Sequence, residues 1–257
     1  MKAEALSAGT PEVQCDTCIF DLYGTLVDIH TDENKAGLWE RLALLYAYYG
    51  AYYEPEDLHR AYRDIVRRMS TEKEGVRRDA HESYPEIRIE QVFEGLFYEK
   101  GIRPEPETVL FAGHLLRILA TDRLRLYPGT EHMLRRVRES GKKIYLLSNA
   151  QKIYTEYELN ALKLTPYFDG IFLSSEHGCK KPDLNFFRKL LDRYEIDPAR
   201  AVMIGNDGIC DIEGAKKAGL KTVYVRSEIS PKEELPEADY VLKKMDMERI
   251  GEILTSL

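Results

Sequence analysis

From Lys143 onward the chain alternates short, continuously apolar runs with helical stretches. Lys143–Ser148, Gly170–Ser174, Ala201–Gly205, Thr222–Val225 and Asp239–Leu242 read as strands. A strand apolar at every position is buried on both faces, and strands separated by helices pair in parallel. This pattern confines the chain to an α/β fold, a doubly wound parallel sheet covered by helices on both sides. An earlier run, Cys18-Ile-Phe-Asp21, reads as one more buried strand, ending in a turn at Gly24.

Between that strand and the rest, from about Asn34 to Thr121, the apolar spacing changes to three and four. Leu38, Leu42, Leu45 and Tyr49 follow it, as do Leu58, Tyr62, Ile65 and Met69, then Val92, Phe93, Leu96 and Phe97. Breaks at Gly50, Gly75, Pro85 and Gly101 divide the stretch into about four helices. The expected organisation is a core of residues 13–30 and 124–257 interrupted by a helical insertion at 31–123. Thr130 is expected to cap a helix that ends at Gly141, and residues 1–12 are expected to be frayed.

Charge narrows the partners. With 37 Lys and Arg against 44 Asp and Glu, the net charge of -7 argues against a broad basic face for nucleic acid and leaves a small anionic substrate open. No apolar run approaches the roughly 18 residues that span a bilayer, so no membrane partner is expected. Met1–Thr10 lacks the apolar core of a secretory signal. Four cysteines without such a signal read as reduced thiols in a cytoplasmic protein. Cys15-x-x-Cys18 has no second pair to complete a zinc site and reads as structural. Nothing in the sequence specifies an oligomeric state.

In a doubly wound sheet, ligands sit beyond the carboxyl ends of the strands. The first strand delivers Asp21, then Tyr23, Gly24 and Thr25; the second delivers Ser148 and Asn149. Lys180-Lys181-Pro182-Asp183 follows the third, and Gly205-Asn206-Asp207 with Asp211 follows the fourth. A carboxylate there can attack an electrophile and form a covalent ester, beside a lysine that neutralises charge. Paired carboxylates hold Mg²⁺, which prefers hard oxygen ligands and lets an anionic nucleophile approach a phosphate. Asp211 can equally cap the helix that runs through Ala215.

Phe20-Asp-Leu-Tyr-Gly-Thr-Leu26, Leu147-Ser-Asn149, Lys181-Pro-Asp183 and Gly205-Asn-Asp with Asp211-Ile-Glu-Gly-Ala215 resemble the four motifs of the haloacid dehalogenase superfamily. The resemblance covers essentially the whole core, and the helical insertion is similar to that superfamily's C1-type cap. By position it implies that Asp21 is the nucleophile. Ser148 and Lys181, with Thr25 and Asn149, would hold the transferred group. Asp207 and Asp211 would bind Mg²⁺ together with Asp21 and the main-chain oxygen of Tyr23.

Two places depart from the phosphatase pattern. The second Asp, which serves as general acid two residues after the nucleophile, is Tyr23 here, and the acidic motif opens on Asn206 in place of Asp. A Tyr at that first place is what L-2-haloacid dehalogenases carry, and those enzymes use no metal. Losing a general acid costs about 10²–10⁴ in rate. Two like charges ~4 Å apart in a site without a cation cost on the order of 4 kcal/mol at an effective dielectric of about 20. The two penalties are comparable. Asp207 and Asp211 favour Mg²⁺-dependent hydrolysis of a small phosphorylated metabolite through an ester at Asp21. The alternatives are a metal-independent L-2-haloacid dehalogenase and a catalytically silent phosphate-binding protein. Tyr23 itself is left open as a packing residue, a weak acid or a pocket wall, and His30 is a candidate acid from the cap side.

Overall fold

The computed structural model describes residues 14–75, 86–232 and 235–257; the frayed terminus expected at 1–12 and the break at Pro85 lie outside them. In chain order the elements are β1 (Thr17–Phe20), β2 (Val27–Thr31), α1 (Leu38–Tyr48), α2 (Pro55–Gly75), α3 (Ile89–Tyr98) and α4 (Pro106–Ala120). They continue with β3 (Thr121–Leu126), α5 (Thr130–Glu139), β4 (Lys143–Ser148), α6 (Lys152–Ala161), β5 (Gly170–Leu173) and α7 (Ser174–His177). The last are α8 (Leu184–Tyr194), β6 (Ala201–Gly205), α9 (Gly214–Lys217), β7 (Lys221–Val225), β8 (Tyr240–Leu242) and α10 (Met247–Ser256).

Six strands form one parallel sheet in the order β5-β4-β1-β6-β7-β8. The alternation of side chains across each strand explains its two-sided burial. Phe20, Leu146, Val202 and Ile204 face α5 and α10, where they meet Leu134, Val137 and Leu254. Ile19, Leu147 and Met203 face the other way and pack on Phe186, Phe187 and Leu190 of α8. Each such side chain, fully buried, contributes about 1.5–3 kcal/mol relative to exposure. The fold is the doubly wound α/β architecture that the strand pattern implies. Its strand order reverses at β1, with β4 on one side and β6 on the other. Such a reversal opens a crevice at the strand's carboxyl end.

Helices α1 to α4 build a separate hydrophobic layer around Leu42, Tyr46, Leu58, Phe93, Leu96, Phe97 and Leu116, which also takes in Ile153 of α6. Tyrosines in and just after α1 do structural work there. The buried Tyr46 hydroxyl donates to the Phe93 carbonyl and Tyr53 to the Leu96 carbonyl, while Tyr48 and Tyr52 stay exposed at the rim.

Two elements are absent from the sequence reading. β2 and β3 pair antiparallel into a two-stranded ribbon through which the chain enters and leaves the helical layer. Asp28 on β2 pairs with Arg123 (2.8 Å) and Arg125 (2.9 Å) on β3. The expected cap at Thr130 is corrected: Gly129, in the left-handed conformation, holds the N-cap position. The Thr130 hydroxyl instead donates to the Leu26 and Tyr127 carbonyls. It thereby ties α5 to the turn that follows β1. Among the described residues no helix is long and apolar enough to cross a membrane.

Candidate active site

Asp21 stands one residue beyond β1, its amide bonded to the Ile204 carbonyl of β6 (2.9 Å). The turn after it needs Gly24. That residue has φ 84°, and a Cβ there would meet the Asn206 amide group at 2.5 Å, so only glycine lets the turn close against the end of β6.

Lys181 reaches Asp21 from the loop before α8. Its buried ammonium has three donors, and all are used: Asp21 Oδ1 (2.8 Å), Asp211 Oδ1 (2.7 Å) and the Leu147 carbonyl (2.8 Å). Asn149 locks the lysine's backbone from both sides, accepting from the Lys181 amide (2.7 Å) and donating to its carbonyl (2.9 Å). Ser148 donates to Asp21 Oδ1 (3.1 Å). Thus Oδ1 of Asp21 is doubly held, while Oδ2 has one long contact, to Thr25 Oγ1 (3.3 Å).

Burial would lower the Lys181 ammonium, but the Asp21 and Asp211 carboxylates outweigh it and hold the lysine above its ordinary value. Burial pushes Asp211 up to about 6, against the pull of Lys181 and with the Asp21 charge adding to it. Two carboxylates thus share one ammonium, in a place where removing the ammonium would strand both.

The acidic motif is arranged differently from its sequence reading. Asp207 Oδ1 accepts from the amides of Ile209 (2.9 Å) and Cys210 (2.8 Å), so Asp207, not Asp211, caps the helical turn that begins at Gly208. Asp211 folds back under β6, with Oδ1 on Lys181 and Oδ2 accepting the Asp207 amide (2.9 Å). A Cβ on Gly205 would collide with that carboxylate. The side chain brought beside Asp21 is Asn206, whose Oδ1 shares Thr25 Oγ1 (3.3 Å). Among the described residues no group of three or more His, Cys, Asp or Glu side chains is set to hold a metal.

Tyr23 turns away from Asp21's neighbours. Its hydroxyl donates to Glu158 Oε2 and lies 3.0 Å from Thr155 Oγ1, both on α6. Glu158 is held in turn by Arg117 of α4, through Nε (2.6 Å) and Nη2 (3.2 Å). Burial and then the Glu158 charge keep the phenol far above its ordinary value. The Tyr23 hydroxyl is thus committed to Glu158, while its side chain still lines the cavity over Asp21. His30 sits on the exposed side of the ribbon, paired with Asp122 (2.9 Å), and does not line the site.

A cavity of about 220 Å³ opens over Asp21, lined by Tyr23, Ser148, Asn149, Lys181, Asp207 and Asp211. Of the sequence-selected residues Thr25, fully buried, and His30 do not reach it. Asn206, Cys210, Ile229 and Pro231 also line it. Burial, then Asp207 and Asp211, push the Cys210 thiol up to about 12, so it stays a neutral wall. Glu86 was not anticipated either. It looks onto the outer vestibule with Lys180, and its Oε2 accepts from Ser174, which in turn accepts the Ala150 amide. The signals for Asn206 and Cys210 were in the motif itself; those for Ile229, Pro231 and Glu86 were not in any motif.

The model of the family described as haloacid dehalogenase-like hydrolase matches residues 15–219. The chain is 31% identical over 163 residues to a phosphoserine phosphatase of Thermus thermophilus, covering 63% of each chain. It is 32% identical over 103 residues to a glyceraldehyde 3-phosphate phosphatase of Pyrococcus abyssi, covering 40% of this chain and 43% of that one. The match thus spans less than two thirds of these curated relatives. A solved 2-haloacid dehalogenase from Pseudomonas syringae superposes with a TM-score of 0.60 at 18% identity, over 95% of this chain and 99% of that one, which shows a shared fold.

Proposed function

The chain belongs to the haloacid dehalogenase-like hydrolase family, and from that we propose that it hydrolyses a small phosphorylated metabolite through an aspartyl ester at Asp21. The observation that carries this reading is the asymmetry of the Asp21 carboxylate. Oδ1 is fixed by Lys181 and Ser148, and Oδ2 keeps a single long contact. A carboxylate oriented through one oxygen presents the other for attack.

In the first step an Asp21 oxygen bonds to phosphorus as the ester oxygen departs. In the second, water attacks the same phosphorus, phosphate leaves and the carboxylate is restored. Ser148, Asn149 and Lys181 position the transferred group. Tyr23, whose hydroxyl is committed to Glu158, donates no proton to the leaving group. The reading therefore favours substrates whose leaving oxygen needs little protonation, such as aryl or acyl phosphates. Helices α1 to α4, within residues 31–123, act as the cap over a core of residues 13–30 and 124–257.

Mg²⁺ fits this donor set, with a changed set of ligands. Its usual demand is for hard oxygens with one or two carboxylates and several waters. Asn206, not Asp207, is the side chain beside Asp21, and both oxygens of Asp211 have protein partners, so Asp21, the Asn206 amide oxygen and the Tyr23 main-chain oxygen are the groups that would hold it. When bound, it would offset the charge of the phosphate. With one carboxylate among the three, its affinity is expected to be low.

A second reading rests on two neutral groups, Asn206 beside Asp21 and Tyr23 in the acid's place: metal-independent attack on a short 2-haloacid. One assay series separates the two. Turnover of 4-nitrophenyl phosphate and of 2-chloropropionate is measured with Mg²⁺ and with EDTA. Mg²⁺-dependent release of nitrophenol, with little activity on alkyl phosphates, supports the first reading; chloride release in EDTA supports the second and overturns the first.

A further inference from the structure

We propose that the cleft between α4 and α6 is a second small-molecule site, taking an aryl carboxylate and coupled to the reaction centre through Arg117, Glu158 and Tyr23. The cleft encloses about 450 Å³, within the roughly 300–1,000 Å³ of small-molecule sites, which are mostly apolar with a few convergent polar groups. It shares no lining residue with the cavity over Asp21.

Its walls suit an aromatic body. Phe111 and Ile118 of α4 and Tyr157 of α6 are 53%, 66% and 64% exposed around it, a concentration of apolar surface that marks a binding face more often than a bare one. His114 donates from Nε2 to the Ile153 carbonyl (2.8 Å) and lies 6.1 Å from the Tyr157 ring, so the aromatic wall is held in place.

The cleft's cation selects the head group. Arg117 spends Nε and Nη2 on Glu158, and its Nη1 has no partner among the described residues. The guanidinium lies 5.1 Å from the Tyr154 ring and 5.5 Å from the Tyr23 ring. Glu158 already neutralises this cation, so what Arg117 offers a carboxylate is its spare, fixed N–H geometry between two rings.

The same cation explains the coupling. Glu158 lines the cleft, yet it also accepts the hydroxyl of Tyr23, which lines the cavity over Asp21. A carboxylate that draws on Arg117 competes with Glu158 for it and changes how firmly Tyr23 is held, two residues from Asp21. Occupancy of the cleft is thereby read at the turn that carries the reactive carboxylate.

Isothermal titration of the full chain with indole-3-acetate and with indole-3-acetamide tests the site without any need for turnover, and so apart from the proposed reaction. The expected result is that the acid binds at least about tenfold more tightly than the amide and is not displaced by inorganic phosphate. Both Ile118→Asp and Tyr157→Ser should weaken it, each checked for folding by circular dichroism. Saturating indole-3-acetate should change 4-nitrophenyl phosphate turnover by about twofold or more. Equal binding of acid and amide, displacement by phosphate, or no binding at all overturns the site. So does self-association in sedimentation that Ile118→Asp abolishes, which would make the face an interface between copies. Unchanged turnover with bound probe overturns the coupling.

Discussion

Two buried ionic clusters flank the same turn, and they differ in what they leave open. Around Lys181, a single ammonium serves two carboxylates and a carbonyl, yet Asp21 keeps an oxygen with only one long contact. Around Glu158, a carboxylate takes two bonds from Arg117 and one from Tyr23. The first cluster is charged in excess and faces a cavity; the second is neutral as a pair and closes on the Tyr23 hydroxyl. A residue's place in a motif therefore does not give its role. Tyr23 occupies the position of an acid but is built into a strut.

The contrast can be broken most sharply at Asp21. Asp21→Asn should abolish hydrolysis of 4-nitrophenyl phosphate, by on the order of 10⁴-fold or more, in initial-rate assays; retained turnover would move the nucleophile elsewhere. Next comes Lys181→Met, which leaves two buried carboxylates without their cation. It should cost about 3–5 kcal/mol in urea unfolding, along with activity, and a loss under about 1 kcal/mol would mean the cluster is better solvated than its burial implies. Tyr23→Phe probes the second cluster. Removing a donor from the Glu158 carboxylate should cost about 1.5–3 kcal/mol. Turnover of aryl phosphate, and of any alkyl phosphate that is hydrolysed, should fall less than about tenfold, whereas a lost general acid would lower the alkyl rate by about 10²–10⁴.

The smallest effect is one of pH. Asp211 is pushed up to about 6 in the folded protein, from an ordinary value of 3.8. The folded state therefore holds this proton more tightly than the unfolded one, so its contribution to stability is largest below about pH 4. It declines as pH rises through 6 and is constant above. Thermal unfolding in EDTA between pH 4.5 and 7 should show that decline, and Asp211→Asn should lack it.

The sheet was legible because its strands hold short, nearly continuous apolar runs, such as residues 144–147 and 201–204, between helical stretches. The ribbon was not. Val-Asp-Ile-His-Thr of β2 and Thr-Asp-Arg-Leu-Arg-Leu of β3 are interrupted by charged residues, and the pairing of Asp28 with Arg123 and Arg125 exists only once the two strands lie side by side. The cluster of Asp21, Ser148 and Lys181 was readable from strand ends alone. Which residue after β6 turns toward Asp21 was not, because a one-residue difference in register sends a side chain to the opposite face. Asn206 and Asp207 differ by just that step. The strut beneath Tyr23 joins residues 132 and 135 positions apart, through helices whose facing sides no local pattern reveals.

The β2–β3 ribbon carries both chain crossings into the helical layer side by side. Asp28, clamped between Arg123 and Arg125, fastens those crossings to each other without lining the cavity over Asp21. A neutral side chain at position 28 would therefore loosen the junction while leaving every wall of the reaction chamber in its own chemistry.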